Sequence, residues 1–279
     1  MKFTKMEATG NDFVLVEAHE ERDWPRLAVA MCHRHLGVGG DGLILVTPSQ
    51  HADVGMRMLN PDGSEAEACG NGLRCLAVYA VTHGLASGDE LTVETRAGTR
   101  RAHVTREGGA VTGARVGMGV PGFGAWQIPM LVSDDIDITI GFPLAVAGQE
   151  LSVSCLSMGN PHAVHFTPGP VEEFPLSQVG PEVEDHPLFL NRTNFEVATI
   201  ASRREIQARV WERGAGETLS CGSGACAIAV AARCLGLAES PVDVVLPGGT
   251  LTIEWAGAGE VVLQGAAGLV FRGEWPGDG

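Results

Sequence analysis

The chain has 279 residues, 44% of them apolar, with seven cysteines and a formal net charge of −15. This length can bury one large or two ordinary cores, and the negative charge argues against a nucleic-acid or anionic-membrane surface, which needs clustered Lys and Arg. An odd number of cysteines, in a chain too long to need a disulfide framework, points to a reduced cytoplasmic setting.

In chain order, the start MKFTKMEATGND has no apolar segment, so no secretory signal is expected. Gly10-Asn11 follow, within TGNDFVLVE. GVGGDG at 37–42 formally matches a dinucleotide-binding G-x-G-x-x-G, but it precedes its strand LILV instead of following one, which argues against that use. The run GMRMLN ends at Asn60, nine residues before Cys69. The stretch EACGNGLRCLAVYAVTHGL follows at 67–85, with a helix predicted over 73–85, and then the strands LTVET and AHVTR. Gly/Pro-rich GMGVPGFG at 117–124 reads as a hinge. Beyond it come MGNPHAVHF with Asn160 and His162, RTN with Asn194, and QARVWER, which ends in Glu212-Arg213. ETLSCGSGACAIAVAARCLGL at 217–237 carries Cys221 and a helix predicted over 225–236, before the strands VDVVL, LTIEW and EVVLQ. The apolar run near 225–238 is too short to span a bilayer and contains Arg233.

Several of these landmarks occur twice. Cys69 and Cys221 lie 152 residues apart, Gly10-Asn11 and Gly159-Asn160 lie 149 apart, and Gly98-Thr99 and Gly249-Thr250 lie 151 apart. The chain therefore reads as two copies of one α/β unit. Both predicted helices are apolar on nearly every face, so each needs protein on all sides, as inside a curved or closed sheet.

Each repeated cysteine stands at a helix start, where unpaired N–H groups and the positive dipole end lower a thiol pKa and bind a carboxylate. Inverting a carbon centre needs one group to remove a proton from one face and another to deliver one to the opposite face. Two thiols exchanging thiolate and thiol roles meet that need in both directions. The other cysteines, Cys32, Cys75, Cys155, Cys226 and Cys234, read as inert buried hydrophobes. The nearest cysteine pairs, Cys69/Cys75 and Cys221/Cys226, lack a second ligand cluster, so no metal is expected. Asn11, Asn60, Asn71, Asn160 and Asn194 each suit a turn, but Asn11 and Asn160 hold matching positions. His162, two residues after Asn160, is either structural or within reach of a cleft toward which pseudo-symmetry would turn both helix starts. Glu212-Arg213 is either a local ion pair or a pair facing substrate.

Taken together, GNDFVLV, NPDGSEAEACGNGLRC, MGNPHAV, RTN, RVWERGAGETLSCGSGACA and GLVFRGE resemble the diaminopimelate epimerase family across essentially the whole chain. The resemblance implies an α/β (α+β) fold of two pseudo-symmetric lobes, each a barrel-like sheet around a central helix. The first lobe would span 1–118, joined by the closing segment 268–279, and the second 119–267. It implies a homodimer that interconverts LL- and meso-diaminopimelate without a cofactor, in lysine and peptidoglycan precursor synthesis. Cys69 and Cys221 would be the acid/base pair, supported by His162 and Glu212. Asn11, Asn60, Asn160, Asn194, Glu212 and Arg213 would hold the distal amino-acid end of the substrate. Gly70-Asn71 and Gly222-Ser223 would hold the carboxylate at the reacting end. Gly42 stands where some members carry a substrate-touching Gln, and Phe-Glu-Val after Asn194 only approximates the family's usual continuation. A proline- or hydroxyproline-type racemase shares the two-thiol logic, but it leaves the Asn set and Glu212-Arg213 without a purpose. A silent amino-acid-binding protein leaves the second thiol unexplained.

Overall fold

The computed structural model describes residues 1–66, 69–133 and 141–276. Glu67 and Ala68, which open the first cysteine stretch, and 277–279 of the closing segment lie outside the described residues. The chain divides into two compact units, Met1–Gly117 with Gln264–Gly279, and Met118–Leu263.

The first unit contains β1 (Lys2–Ala8), β2 (Asn11–Glu17), α1 (Trp24–Cys32), β3 (Gly42–Thr47), β4 (Val54–Leu59) and β5 (Glu65–Ala66). It continues with α2 (Gly70–Thr82), β6 (Glu90–Thr95), β7 (Gly98–Glu107) and β8 (Ala110–Gly119). In the second unit β9 (Phe142–Val146), β10 (Gln149–Ser157), β11 (Pro161–Phe166), α3 (Leu176–Glu184), β12 (Asn194–Ser202) and β13 (Glu205–Glu212) follow. Then come β14 (Gly216–Thr218), α4 (Gly222–Cys234), β15 (Val242–Leu246), β16 (Gly249–Glu254) and β17 (Val261–Ala266). The closing strand β18 (Gly268–Glu274) returns to the first unit and pairs antiparallel with β1.

The duplication is legible in the pairing. In the first unit β1–β2 is antiparallel, β2–β3 parallel, β3–β4 antiparallel, β4–β6 parallel and β6–β7 antiparallel. In the second, β10–β11, β11–β12, β12–β13, β13–β15 and β15–β16 repeat that series in the same order and sense. The parallel steps need a crossover, and in both units the second crossover contains the cysteine helix. Helix α2 packs against β1, β2, β3, β4 and β7, and α4 against β10, β11, β12, β15 and β16. Each unit is thus a curved sheet around one helix, which is why residues 70 to 80 are buried without interruption.

Both cysteine helices start three residues earlier than the apolar pattern predicts, directly after the cysteine. The apolar run marks only where the helix becomes fully enclosed, while Gly70-Asn71-Gly72 and Gly222-Ser223-Gly224 already form the first turn. Cys234 departs from its expected burial: it closes α4 on the exposed side, whereas Cys32, Cys75, Cys155 and Cys226 are buried. Leu76 is fully enclosed in α2, so Leu76→Ala should cost about 2–5 kcal/mol. Urea unfolding measures that loss, and an unchanged midpoint would mean the helix is not encased.

Candidate active site

The same local design opens both cysteine helices. Cys69 and Cys221 are the N-cap residues, in extended conformation, and each Sγ accepts the backbone N–H of the glycine three residues on, Gly72 or Gly224, at 3.4 Å. A thiolate there takes up one of the unpaired donors of a helix start. The Gly-Asn pairs repeat as well. Gly10 and Gly159 adopt φ of 88° and 94°, a region that favours glycine, and each turns the chain so that Asn11 or Asn160 stands at the head of the next strand.

In the second unit, Cys221 sits between two kinds of partner. Ser223 Oγ lies 3.5 Å from its Sγ, which also accepts the Gly224 amide. The Glu212 carboxyl, which receives the Thr218 hydroxyl at 2.5 Å, also takes a hydrogen bond from the thiol. β14 pairs antiparallel with the end of β13, and this brings Thr218 to Glu212. His162 is fully buried. Its Nδ1 is 2.7 Å from Glu196 Oε1 and its Nε2 is 3.0 Å from Asn160 Oδ1. Asn160 Nδ2 donates in turn to Ser223 Oγ at 3.4 Å. Asn194 uses its amide on backbone groups, donating to Pro161 O at 2.8 Å and accepting from Arg213 N–H at 2.9 Å, and so ties β11 and β12 to the end of β13. Glu212 and Arg213 turn to different partners, since the exposed Arg213 guanidinium donates to Asn191 O at 2.8 Å.

In the first unit, Asn71 Nδ2 donates to Asn11 Oδ1, and Asn11 Nδ2 donates to Asp41 Oδ2 at 3.1 Å. Arg74, fully buried one helical turn further on, donates to Asn71 Oδ1 at 2.9 Å and to Thr9 Oγ1 at 2.7 Å. Asp41 is held by Arg34, which also forks onto Asp12. Burial works to raise the Asp12 pKa, but hydrogen bonds from Arg34 and Lys5 outweigh it and hold the carboxyl well below the usual range. Asn60 Nδ2 meets Ser64 Oγ at 2.9 Å inside the turn between β4 and β5. Of the predicted residues, the first unit therefore gathers Asn11, Asn71 and Gly70 beside the Cys69 helix start, and Asn60 is engaged in its own turn. The second gathers Asn160, His162, Glu212, Gly222 and Ser223 about Cys221. Asn194 and Arg213 brace the strand ends.

One electrostatic expectation fails in this form of the site. A helix start alone lowers a thiol pKa, yet the Cys221 pKa is raised well above its ordinary value. Burial is the main cause and the Glu212 charge the second. The donors Ser223 and Gly224 pull the other way and do not offset them. Burial likewise pushes the Glu212 carboxyl up, against the hydrogen bonds from Thr218 and Cys221.

Four residues escape a reading of the sequence alone: Asp41, Arg74, Glu196 and Thr218. GVGGDG explains the first. The motif is a tight loop that delivers Asp41 to the Asn11 side chain and the Asp12 amide. A Cβ at Gly37 would stand 2.2 Å from Ala30 O and 2.8 Å from Met31 O. Gly37→Ala is therefore expected to cost about 1–3 kcal/mol, seen as an earlier urea midpoint. Gly42 is crowded too. A Cβ there would stand 3.0 Å from both Leu59 O and Met58 Cε, so this backbone leaves little room for a longer side chain. Glu196 shares a strand face with Asn194, and that parity was its available signal.

The fold has solved counterparts. The chain superimposes on a solved probable proline racemase from Agrobacterium radiobacter with a TM-score of 0.72, covering 99% of this chain and 93% of that one at 15% identity. That level of identity speaks for the fold alone. The family follows from sequence. The diaminopimelate epimerase family model matches residues 3–123 and 154–270. The diaminopimelate epimerase of Moorella thermoacetica is 49% identical, over 99% of both chains. That of Desulfitobacterium hafniense is 47% identical, over 98% of this chain and 97% of its own. The chain belongs to the diaminopimelate epimerase family.

Proposed function

We propose that this chain is a diaminopimelate epimerase working by two-base proton transfer between Cys69 and Cys221. The supporting observation is that each unit, taken by itself, caps its central helix with a thiol facing a main-chain N–H donor. In one direction, a thiolate removes the α-hydrogen as a proton and the electron pair is delocalised into the substrate carboxylate. The other thiol delivers its proton to the opposite face, and the two sulfurs end with roles exchanged. The first-turn amides of α2 and α4 are suited to the carboxylate at the reacting centre, where negative charge grows. Asn11, Asn60, Asn160, Asn194, Glu212 and Arg213 are proposed to select the distal end of the substrate. A proline-type racemase is not favoured, because the likeness to that group is one of fold while the full-length relatives are diaminopimelate epimerases.

Two working conditions belong to the proposal. The enzyme needs no cofactor: the only lysines are Lys2 and Lys5, and Lys5 is buried in an ion pair with Asp12 at 2.6 Å, a poor Schiff-base former. It works as a cytoplasmic homodimer, to which the exposed Leu269, Val270 and Phe271 of β18 offer an apolar strand, and sedimentation would test this. The deciding experiment offers LL-diaminopimelate to dialysed protein in heavy water. Meso product with deuterium at the inverted carbon is expected. Activity that appears only when pyridoxal phosphate or a metal is returned would overturn the reading, and binding without exchange would indicate a silent binding protein.

A further inference from the structure

Glu196 is one of the least explained groups in the molecule. It is a fully buried carboxyl on β12, and its Oε1 meets His162 while its Oε2 has no hydrogen-bond partner among the described residues. The parallel register pairs His162 with Asn194 and Val164 with Glu196, so the two side chains are diagonal neighbours on the face covered by α4. A Cβ at Gly224 would lie 2.9 Å from Glu196 Oε1 and 3.4 Å from Cys221 Sγ, so the carboxyl and the thiol flank the same glycine.

Donor and acceptor roles along this line are constrained. Asn160 Oδ1 is an acceptor, so His162 Nε2 must carry a hydrogen. With a neutral ring, Nδ1 is then bare and Glu196 must donate to it as a carboxylic acid. With an ionised Glu196, Nδ1 is protonated and the ring is imidazolium. Both arrangements place the same two protons on the pair, leave it without net charge, and keep Nε2–H pointing at Asn160. Burial, which raises the Glu196 pKa against the opposing pull of His162, favours the acid form. With Oδ1 fixed, the Asn160 amide faces Ser223, whose oxygen accepts it. The Ser223 hydroxyl hydrogen is then available to Cys221 Sγ, 3.5 Å away.

We infer that Glu196 is a positioning residue which, through His162 and Asn160, holds the Ser223 hydroxyl as a donor to Cys221 Sγ. The inference rests on Cys221 being one of the two proton carriers. It gives the sulfur distinct partners for its two states, the donors Ser223 and Gly224 to receive a thiolate and the acceptor Glu212 to take the thiol proton. The titratable groups around the sulfur in this account are Glu212 from β13, Glu196 from β12 and His162 from β11.

The test reads the thiol and not turnover, so it stands apart from whether the substrate has been named correctly. Full-length protein is alkylated with iodoacetamide across a pH series, and modification of Cys221 is followed by peptide mass spectrometry. Glu196→Leu frees the ring tautomer and should move the Cys221 midpoint up by about one pH unit, the order expected for losing one hydrogen bond to a charged sulfur. Ser223→Ala should give a similar shift, and the double variant no further shift, because both cut the same line. Glu196→Gln should keep the original midpoint, since an amide N–H can donate to Nδ1 as the acid does. The Gln variant is near-isosteric, so Gln and Ser223→Ala carry the test if the Leu variant fails to fold. An unchanged midpoint in Ser223→Ala, additive shifts in the double variant, or a Gln variant that shifts as far as Ser223→Ala would each overturn the inference.

Discussion

Replacing either Cys69 or Cys221 by alanine is expected to abolish epimerisation while leaving each unit folded. Both side chains are small, and both helices keep their glycine-rich first turns and their enclosure by the sheet. Under the proposed mechanism, the carrier of the proton on one face of the substrate would disappear. Removing a positioned acid or base costs on the order of 10²- to 10⁴-fold in rate, and water is a poor replacement in a buried site. Chiral chromatography of products from LL- and meso-diaminopimelate measures the loss, with thermal unfolding as the check on folding. Near-normal turnover in either single variant would sink the two-base mechanism.

The second large effect belongs to Glu212. Gln in its place keeps the contact with the Thr218 hydroxyl through its carbonyl oxygen, but it cannot take a proton from Cys221. A fall of about 10²-fold in kcat is expected, at the lower end of general-base contributions. The pH profile carries the finer signature. Burial lifts the Glu212 pKa above the ordinary glutamate range. In its proposed role the carboxylate is the active form, so activity should decline as pH falls through that raised value. The acid limb therefore lies above the range in which a free glutamate titrates. In Glu212→Gln that limb should vanish. A variant with lowered rate and the same acid limb would assign the limb to another group.

Much of this arrangement is legible in the amino-acid sequence alone. The repeated Cys-Gly pairs, the repeated Gly-Asn pairs and the all-round apolar helices together specify two copies of a sheet wrapped on a helix. Such features are local in sequence, and their periodicity is set by covalent geometry. What stays hidden depends on contacts between distant segments. Asp41 meets Asn11 only because β2 and β3 pair in parallel across the α1 crossover, and Glu196 meets His162 only through the matching pairing of β11 with β12. The raised Cys221 pKa belongs to the same kind. A helix dipole can be read from a cysteine before a helix, but the depth of burial and the neighbouring Glu212 cannot. The helix starts are misplaced by three residues for a simpler reason, since glycine reads as turn although an enclosed first turn accepts it.

The ends of β4 and β13 differ in one respect that bears on how such a chain could arise. At equivalent positions one copy places Asn60 against the Ser64 hydroxyl, and the other places Glu212 against the Thr218 hydroxyl. An amide cannot act as a base at neutral pH, and a carboxylate can. A progenitor assembled from two identical half-length chains would have carried the same group at both places, and so two equally primed thiols. Fusion into one polypeptide frees each half to mutate by itself, and divergence of this kind makes the two thiols unlike. The halves ceased to be interchangeable while their backbones stayed alike.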